Sequence, residues 1–169
     1  MTRPDRQHFN TIVNENHASI YRICKAYLGR SVEVEDLYQE VLINVWHSLP
    51  RFKGNSKIST WIYRVTVNTA ITYRRKKNRH ESKWVPMEPG HPIPGSEESS
   101  KEEKIRLEKK LEKMMGLIEG LKKDQRIVIG LYLEDLSYKE IAEVLGKDTN
   151  YVGVKISRIK EKLSKMMRS

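Results

Sequence analysis

The chain has 169 residues, enough for two small domains or one of medium size. Its formal net charge of +10 favours a polyanionic partner, although charge alone selects no function. The single cysteine, Cys24, excludes an internal disulfide framework and fits a reducing compartment. No apolar run approaches the ~20 residues of a membrane span, and the polar start Met1–Asp5 is unlike a signal peptide. We therefore expect a cytoplasmic protein without direct membrane insertion.

A proline-rich stretch divides the chain. Four of the six prolines lie between Trp84 and Gly95, and the tract Ser96–Ser100 follows them. Proline denies helices and strands a backbone donor, so this stretch is expected to be an extended tether. The predicted domains are residues 5–80 and 101–169, with a flexible linker at 81–100.

Both halves show helical periodicity. Apolar residues at three- and four-residue steps predict a first helix that Gly29 can end. A second helix is predicted from about Glu35 to Leu49, before Pro50. A third is predicted from near Ser59 to about Arg75, but its many β-branched residues leave a strand open there. The expected fold class is all-α, with two small helical domains.

Acidic and basic residues are separated along the N-terminal half. Residues 31–40 hold four acids and no base, whereas residues 41–80 hold nine bases and no acid. On the predicted second helix, one side is apolar and the opposite side is acidic and amide-rich. Ile43 and Trp46 lie within that polar side, which is typical of a protein interface with an apolar anchor. A solvated acidic face with Trp46 under the next loop fits the residues equally well. The candidate interface residues are Asp36, Gln39, Glu40, Ile43, Asn44 and Trp46.

Two segments of the basic half could contact a nucleic acid. The run Arg74–Arg79 has more bases than the end of a helix needs, which favours phosphate contact over a purely dipolar role. The loop Phe52–Lys57 combines lysines, an amide and a hydroxyl between Phe52 and Trp61, as a single-strand pocket requires. A plain helix–helix loop with Trp61 in the core is the simpler interpretation of these residues alone.

The C-terminal half carries a helix-turn-helix pattern. Ser137 and Glu140 form a capping box, and Gly146 can end the short helix that follows. Asp148 or Thr149 can then cap a longer helix. A short helix, a glycine turn and a longer basic helix are typical of DNA-binding helix-turn-helix units.

The longer helix has two distinct faces. An apolar face is predicted at Val152, Ile156, Ile159 and Leu163. The opposite face is expected to be exposed and to enter a major groove, where amide and basic side chains read bases. An ordinary helical hairpin with a basic exterior is the weaker alternative. The candidate readers are Thr149, Asn150, Tyr151, Val154, Lys155, Arg158 and Lys160.

Three motifs resemble the bacterial RNA polymerase sigma factors of the extracytoplasmic-function (ECF) subfamily. The segment Asp36–Trp46, followed by Phe52, is similar to that family's polymerase-docking helix. The segment Ser59–Asn68 with Arg74 and Arg75 resembles its promoter-melting segment. The segment Ser137–Gly146 is similar to the scaffold helix of its C-terminal domain. The motifs stand in the family's order over about 140 residues.

The resemblance implies a sigma factor that carries core polymerase to promoters through their −10 and −35 elements. The acidic helix would bind the β′ clamp helices, and the second domain would contact the β flap. The second domain would read the −35 element, and the protein would join the nucleoid when active. A membrane-bound anti-sigma factor is an implied partner. The implied −10 contacts are Phe52, Lys53, Asn55, Ser56, Lys57, Trp61, Arg64, Asn68, Arg74, Arg75, Lys76, Lys77 and Arg79.

Two positions depart from the family's pattern. Val152–Lys155 contains Gly153 where the family usually has a basic residue, which puts the −35 readout in doubt and costs up to ~1 kcal/mol of helix stability. Leu121–Asp124 stands in place of the usual Leu-Pro turn, which blurs the start of the helix that follows.

Two other classes of function fit the residues less well. A helix-turn-helix regulator that acts without polymerase would leave domain one without a role, because no ligand or phospho-acceptor pattern is evident there. A DNA-acting enzyme such as a recombinase is not favoured, because no nucleophile–base pair stands out. The scattered histidines form no metal cluster with Cys24. We therefore expect no catalytic residues, no metal and no cofactor.

Overall fold

The computed structural model describes residues 5–29, 31–80 and 101–168, and these residues form helices and turns without strands. The predicted all-α fold is confirmed. The helices, in chain order, are α1 (Arg6–Leu28), α2 (Val34–Ser48), a 3-10 turn (Leu49–Arg51), α3 (Ile58–His80), α4 (Lys101–Glu119), α5 (Lys123–Leu133), α6 (Tyr138–Leu145) and α7 (Thr149–Arg168).

Local sequence explains where the first helices begin and end. The Asp5 carboxylate accepts a hydrogen bond from the Gln7 amide at 3.0 Å and so caps α1. Gly29 ends α1 with a φ of +71°, which glycine adopts without steric cost. Helix α2 tightens into the 3-10 turn at Pro50, because proline has no amide to continue the α-helical pattern.

Helix α3 settles the choice between helix and strand for the β-branched segment. The segment is helical throughout, so the strand alternative is wrong. The buried Thr66 hydroxyl donates to the Ile62 carbonyl at 2.9 Å, one turn earlier in the same helix. Ile62, Val67 and Ala70 are almost fully buried, since α3 packs on both α1 and α2. Burial of this face outweighs the small helix-propensity cost of β-branching.

The helix-turn-helix forms as the sequence predicts. The Glu140 amide donates to the Ser137 hydroxyl at 3.2 Å, and the Ser137 amide donates to the Glu140 carboxylate at 2.9 Å. Gly146 adopts the left-handed conformation at the end of α6. The Asp148 carboxylate then accepts from the Tyr151 amide at 2.7 Å and caps α7. The predicted apolar face of α7 is buried at Val152, Ile156, Ile159 and Leu163.

The two halves of the chain pack directly on each other. Helix α1 crosses α5, and α3 lies against α6. The first crossing is close because α5 presents Gly130 to Ala26, and a β-carbon built at Gly130 would lie 3.1 Å from the Ala26 Cβ. This packing was not predicted from the sequence. The proline-rich segment 81–100 lies outside the described residues, so the domain boundaries and the linker stay predictions.

The Arg126 guanidinium joins the ends of two helices. Its Nε donates to the Ala26 carbonyl at 2.9 Å and its Nη2 donates to the Tyr27 carbonyl at 3.1 Å, at the end of α1. Its Nη1 donates to the Glu119 and Leu121 carbonyls at 3.2 and 3.1 Å, where α4 ends. Carbonyls at a helix end lack partners within the helix, and a cation there also complements the helix dipole. Arg126 therefore fixes α5 to both preceding helices.

A second polar contact joins α1 to the end of α5. The Ser19 hydroxyl donates to the Glu134 carboxylate at 2.7 Å, and the Arg22 guanidinium donates to both carboxylate oxygens. The Arg22 hydrogen bond lowers the pKa of Glu134, although partial burial acts in the opposite direction. Arg22 is more than half exposed, so solvent weakens this pair. It orients the interface more than it stabilises it.

We predict that Arg126→Met destabilises the protein by about 2 kcal/mol, because several half-buried carbonyls lose a charged donor. Urea unfolding of the full chain measures this change. Arg126→Lys should recover only part of the loss, since a single ammonium cannot reach both helix ends in the way a planar fork can. Arg106→Met, at an exposed position of α4, is the matched control. Equal stability of the Arg126 and Arg106 variants would contradict the anchoring role.

Candidate functional site: an acidic strip and two basic surfaces

Helix α2 presents an acidic strip to solvent between α1 and α3. Asp36, Gln39 and His47 are exposed along it, and Glu40 is half-buried. Ile43 lies among them with 55% of its surface exposed. An apolar residue surrounded by charged and amide groups can anchor a protein partner.

Two of the predicted interface residues are partly engaged in the fold. Trp46 packs edge-on against Phe9 of α1, with ring centroids 5.0 Å apart. The Asn44 side chain donates to the Thr69 hydroxyl of α3 at 3.0 Å. These residues form the two borders of the strip. Trp46 is packed on helix α1 rather than under the loop that follows α2.

The loop between the 3-10 turn and α3 forms a cavity of about 370 Å³. Phe52 and Trp61 pack together in its wall, with ring centroids 5.2 Å apart. Both aromatic side chains are half-buried, so they are neither fully enclosed in the core nor fully exposed to solvent. Most of the lining residues are among the predicted −10 contacts. The lining residues are Arg51, Phe52, Lys53, Asn55, Ser56, Thr60, Trp61, Arg64 and Glu143.

The acidic member of this lining was not predicted. Glu143 belongs to α6 and reaches the cavity because α6 packs on α3. One turn earlier, the Glu140 carboxylate pairs with the Lys57 ammonium at 2.8 Å. Neither contact leaves a signal in the local sequence, because the two helices are about 80 residues apart in the chain.

The polar and basic side chains of α3 differ in how exposed they are and in whether they pair with acids of the neighbouring helix. Arg64, Asn68 and Arg75 are exposed, and Arg74 is half-buried. Lys76 is also exposed but pairs with Glu40 of α2 at 3.4 Å, whereas Lys77 is half-buried and pairs with Glu33. The side chain of Arg79 lies outside the described residues. The predicted phosphate-binding set therefore does not form one uniform surface.

Helix α7 presents most of its predicted readers to solvent. Thr149, Asn150, Tyr151, Val154 and Arg158 are exposed. Together with Gly153 and Ser157, four of them border an open concavity of about 500 Å³. Lys160 is also exposed, but its ammonium donates to the Tyr132 hydroxyl at 2.7 Å. Gly153 lies beside Tyr138, where an added β-carbon would meet only ordinary contacts.

Lys155 departs from the expectation of an exposed reader. Its ammonium pairs with the Asp124 carboxylate at the start of α5, and only 22% of its side chain is exposed. It also contacts the Tyr151 hydroxyl at 3.3 Å. The Asp124 hydrogen bond raises the pKa of Lys155, so the side chain stays charged. Asp124 belongs to the segment that departs from the family pattern, and it was not predicted to reach α7.

The described residues offer little support for other chemistry. Within ranges 5–29, 31–80 and 101–168, no group of three or more His, Cys, Asp or Glu side chains could hold a metal ion. Burial raises the pKa of the Cys24 thiol to about 12, so this side chain is a poor nucleophile. None of the helices in these ranges combines the length and apolarity that crossing a membrane requires.

The fold and the surfaces together define a helix-turn-helix protein with a separate acidic, apolar-centred strip. Comparison with known families gives a match to Sigma-70 region 2 over residues 12–80 and to Sigma-70 region 4 over residues 111–163. The ECF RNA polymerase sigma-E factor of Escherichia coli is 30% identical over 163 residues, covering 93% of this chain and 85% of the relative. The Bacillus subtilis ECF sigma factor SigW is 27% identical, covering 97% and 91%.

Solved structures share the fold. The sigma factor RpoE of Bartonella quintana, in complex with the anti-sigma factor NepR, has a TM-score of 0.77 at 20% identity, covering 96% of this chain and 98% of that one. CnrH, in complex with the cytosolic domain of CnrY, has a TM-score of 0.66 at 20% identity, covering 98% and 90%. The chain belongs to the ECF subfamily of bacterial RNA polymerase sigma factors. It is a factor for promoter-specific initiation of transcription, as the sequence motifs predicted.

The Lys57–Glu140 pair predicts a pH dependence. The hydrogen bond from Lys57, with those from Ser137, lowers the pKa of Glu140 from 4.5 to about 2. A depressed pKa means that the ionised carboxylate stabilises the folded state above about pH 4.5 and loses this effect as the pH falls towards 2. Glu140→Gln keeps a capping side chain but removes the charge. We expect its stability deficit to be largest near neutral pH and to shrink on acidification.

Urea unfolding between pH 7 and pH 3 measures this difference. The Lys57→Gln variant completes a double-mutant cycle, which separates the ion pair from the capping contact. Because Lys57 is largely exposed, the coupling should be small and should weaken with salt. A deficit that stays constant with pH would contradict the assigned pair.

Proposed function

We propose that the acidic strip of α2 is the surface that docks on core RNA polymerase, at the β′ clamp helices. The strip offers carboxylates at Asp36 and Glu40 to a basic partner, and Ile43 supplies an apolar anchor at its centre. The exposure of Ile43 is the observation that carries this proposal. The Ile43 side chain contributes nothing to folding while it stays in water, whereas its burial against a partner contributes favourable free energy to binding.

The cavity at the Phe52–Lys57 loop is proposed to capture a flipped base of the −10 element. Its lining combines two aromatic rings with Asn55 and Ser56, which suits stacking and hydrogen bonding to an extruded base. Exposed Arg64 and Arg75 would hold the neighbouring phosphates. Lys76 and Lys77 would join them only after leaving their α2 partners.

The exposed face of α7 is proposed to read the −35 element. Asn150 suits adenine, Arg158 suits guanine, and Val154 suits a thymine methyl group. Asp124 holds Lys155 in the free protein, which supports a positioning role for that lysine rather than a reading one. Gly153 leaves room in the concavity for a close approach of the DNA.

Further partners follow from the family. Both solved relatives named above are complexes with anti-sigma factors or their domains, and we propose a comparable inhibitor for this chain. Residues 101–169 would also contact the β flap. We propose that the protein acts in the cytoplasm, joins the nucleoid when active, and performs no chemistry itself. A regulator that acts without polymerase is not favoured, because both halves match the sigma family.

We predict that Ile43→Ala lowers affinity for core polymerase by about tenfold, the effect of losing one apolar anchor. The change should leave the unfolding free energy within about 0.5 kcal/mol, because the side chain is mostly exposed. Fluorescence titration with core polymerase measures the affinity, and run-off transcription measures its consequence. Val32→Ala, at a position 96% exposed, is the matched control. Equal affinities of the two variants would remove Ile43 from the interface.

We predict that Arg158→Ala changes the preferred −35 sequence and lowers discrimination at one base pair by about 10–100-fold. Selection from a promoter library with reconstituted holoenzyme measures the preference. Lys162→Ala is the control, at an exposed position of α7 further from its N-terminus. This change should either leave initiation unaltered or weaken it equally for all promoter sequences. An unchanged preference in the Arg158 variant would exclude base reading by that residue.

A further inference from the structure

Lys155 is held at the edge of the exposed face of α7 by an acidic residue of another helix. Its ammonium pairs with the carboxylate of Asp124, which lies in the first turn of α5. Helices α5 and α7 pack against each other, so the pair joins two elements of the helix-turn-helix half. Lys155 is half-buried, whereas 58% of the Asp124 side chain is exposed. The lysine is therefore the covered partner, and the carboxylate faces solvent.

The same lysine contacts the ring of Tyr151, one turn earlier in α7. The Lys155 ammonium donates to the Tyr151 hydroxyl at 3.3 Å and lies 5.4 Å from the ring centroid. The Lys147 ammonium lies 5.7 Å from the same centroid. Cations within about 6 Å of an aromatic ring are attracted to its face. Tyr151 is exposed near the N-terminal end of α7, and these two lysines fix its orientation there.

A carboxylate beside a DNA-binding face has an electrostatic cost. The phosphates of a duplex repel Asp124 as they attract Lys155, so the pair adds little net attraction. Both groups are charged at neutral pH, because their mutual hydrogen bond lowers the pKa of Asp124 and raises the pKa of Lys155. An unpaired lysine at the same position could bind phosphates of any sequence. The pair therefore weakens sequence-independent binding.

Sequence preference depends on the ratio of two affinities, for the correct and for the incorrect site. Phosphate contacts raise both affinities, whereas contacts to base edges raise only the first. A lysine that is kept from the phosphates and that orients an exposed tyrosine lowers the common contribution and supports the specific one. Asp124 imposes this arrangement on Lys155 and Tyr151.

We propose that Asp124 is a positioning residue that determines promoter specificity, because it withholds Lys155 from the phosphates and keeps Tyr151 oriented towards the −35 element. The inference rests on the proposed function of α7. Asp124 needs no contact with DNA, since it acts through Lys155. Its carboxylate raises discrimination between sequences at the expense of overall affinity.

Neutralising the carboxylate tests the inference. Holoenzyme is reconstituted from core polymerase and the Asp124→Asn chain, and its binding to promoter fragments is measured between about 50 and about 200 mM salt. One fragment carries a −35 element selected from a promoter library, and the other carries a scrambled −35 element. We expect the variant to bind the scrambled fragment about two- to fivefold more tightly, the range for an exposed ion pair, and to lose discrimination by at least this factor.

The salt dependence should change as well. The slope of log affinity against log salt concentration should steepen by about 0.9, because one more lysine becomes available to a phosphate. Lys155→Gln should lower discrimination without steepening the slope, since it removes the pair and adds no phosphate contact. In the Lys155→Gln background, Asp124→Asn should have no further effect on the slope. Glu161→Gln is the matched control, because Glu161 pairs with Lys165 further along the same helix. It should leave slope and discrimination unchanged.

An unchanged slope for Asp124→Asn would overturn the inference. Equal steepening with and without Lys155 would also overturn it, because long-range repulsion by the carboxylate would then be sufficient. An equal loss of affinity for both fragments would show a purely structural role. A −35 preference that persists when Asn150, Val154 and Arg158 are all replaced by alanine would instead contradict the proposed function of α7.

Discussion

The arrangement of the whole molecule depends on the guanidinium of Arg126 at the meeting point of α1, α4 and α5. Helix ends leave carbonyl oxygens without partners, and two such ends are brought together here. One planar cation with several donors satisfies both, which a lysine could not do from the same position. Gly130 complements this contact by removing the side chain that would keep α5 away from Ala26. With α5 fixed on α1, the position of α6 on α3 follows.

The charged residues are separated along the sequence but partly paired in the folded structure. Along residues 31–80, acids precede bases, which separates the proposed polymerase-docking strip from the proposed nucleic-acid-binding surfaces. In space, some of these charges meet: Glu40 with Lys76, Glu33 with Lys77, and Lys57 with Glu140. A partner that engages Glu40 would release Lys76 for phosphate. Docking on polymerase and binding of promoter DNA would then be linked through shared side chains.

Local features of the fold could be predicted from the sequence because they depend on neighbouring residues. The capping box at Ser137, the left-handed Gly146 and the buried face of α7 each arise from spacing within one or two turns. The acidic strip also followed from the angular positions of residues on one helix. Its borders did not, because Asn44 and Trp46 are engaged by α3 and α1.

The remaining features depend on contacts between distant segments. The position of Glu143 in the cavity wall could not be predicted, because Glu143 is an ordinary acidic residue on a helix surface until α6 packs near the Phe52–Lys57 loop. Lys155 was expected to be exposed, but Asp124 reaches it from another helix. The role of Arg126 could not be predicted from a motif, since its partners are backbone carbonyls that any residue could provide. Resemblance to a family identified the function without identifying these three contacts.

Small-angle X-ray scattering of the free chain tests the anchoring of the two halves most directly. If Arg126 fixes them as one body, the wild-type protein should have a radius of gyration of about 15 Å, as expected for a compact chain of this length. Arg126→Met should have a distinctly larger value under the same conditions. An expanded wild-type chain, or two indistinguishable scattering curves, would contradict the account.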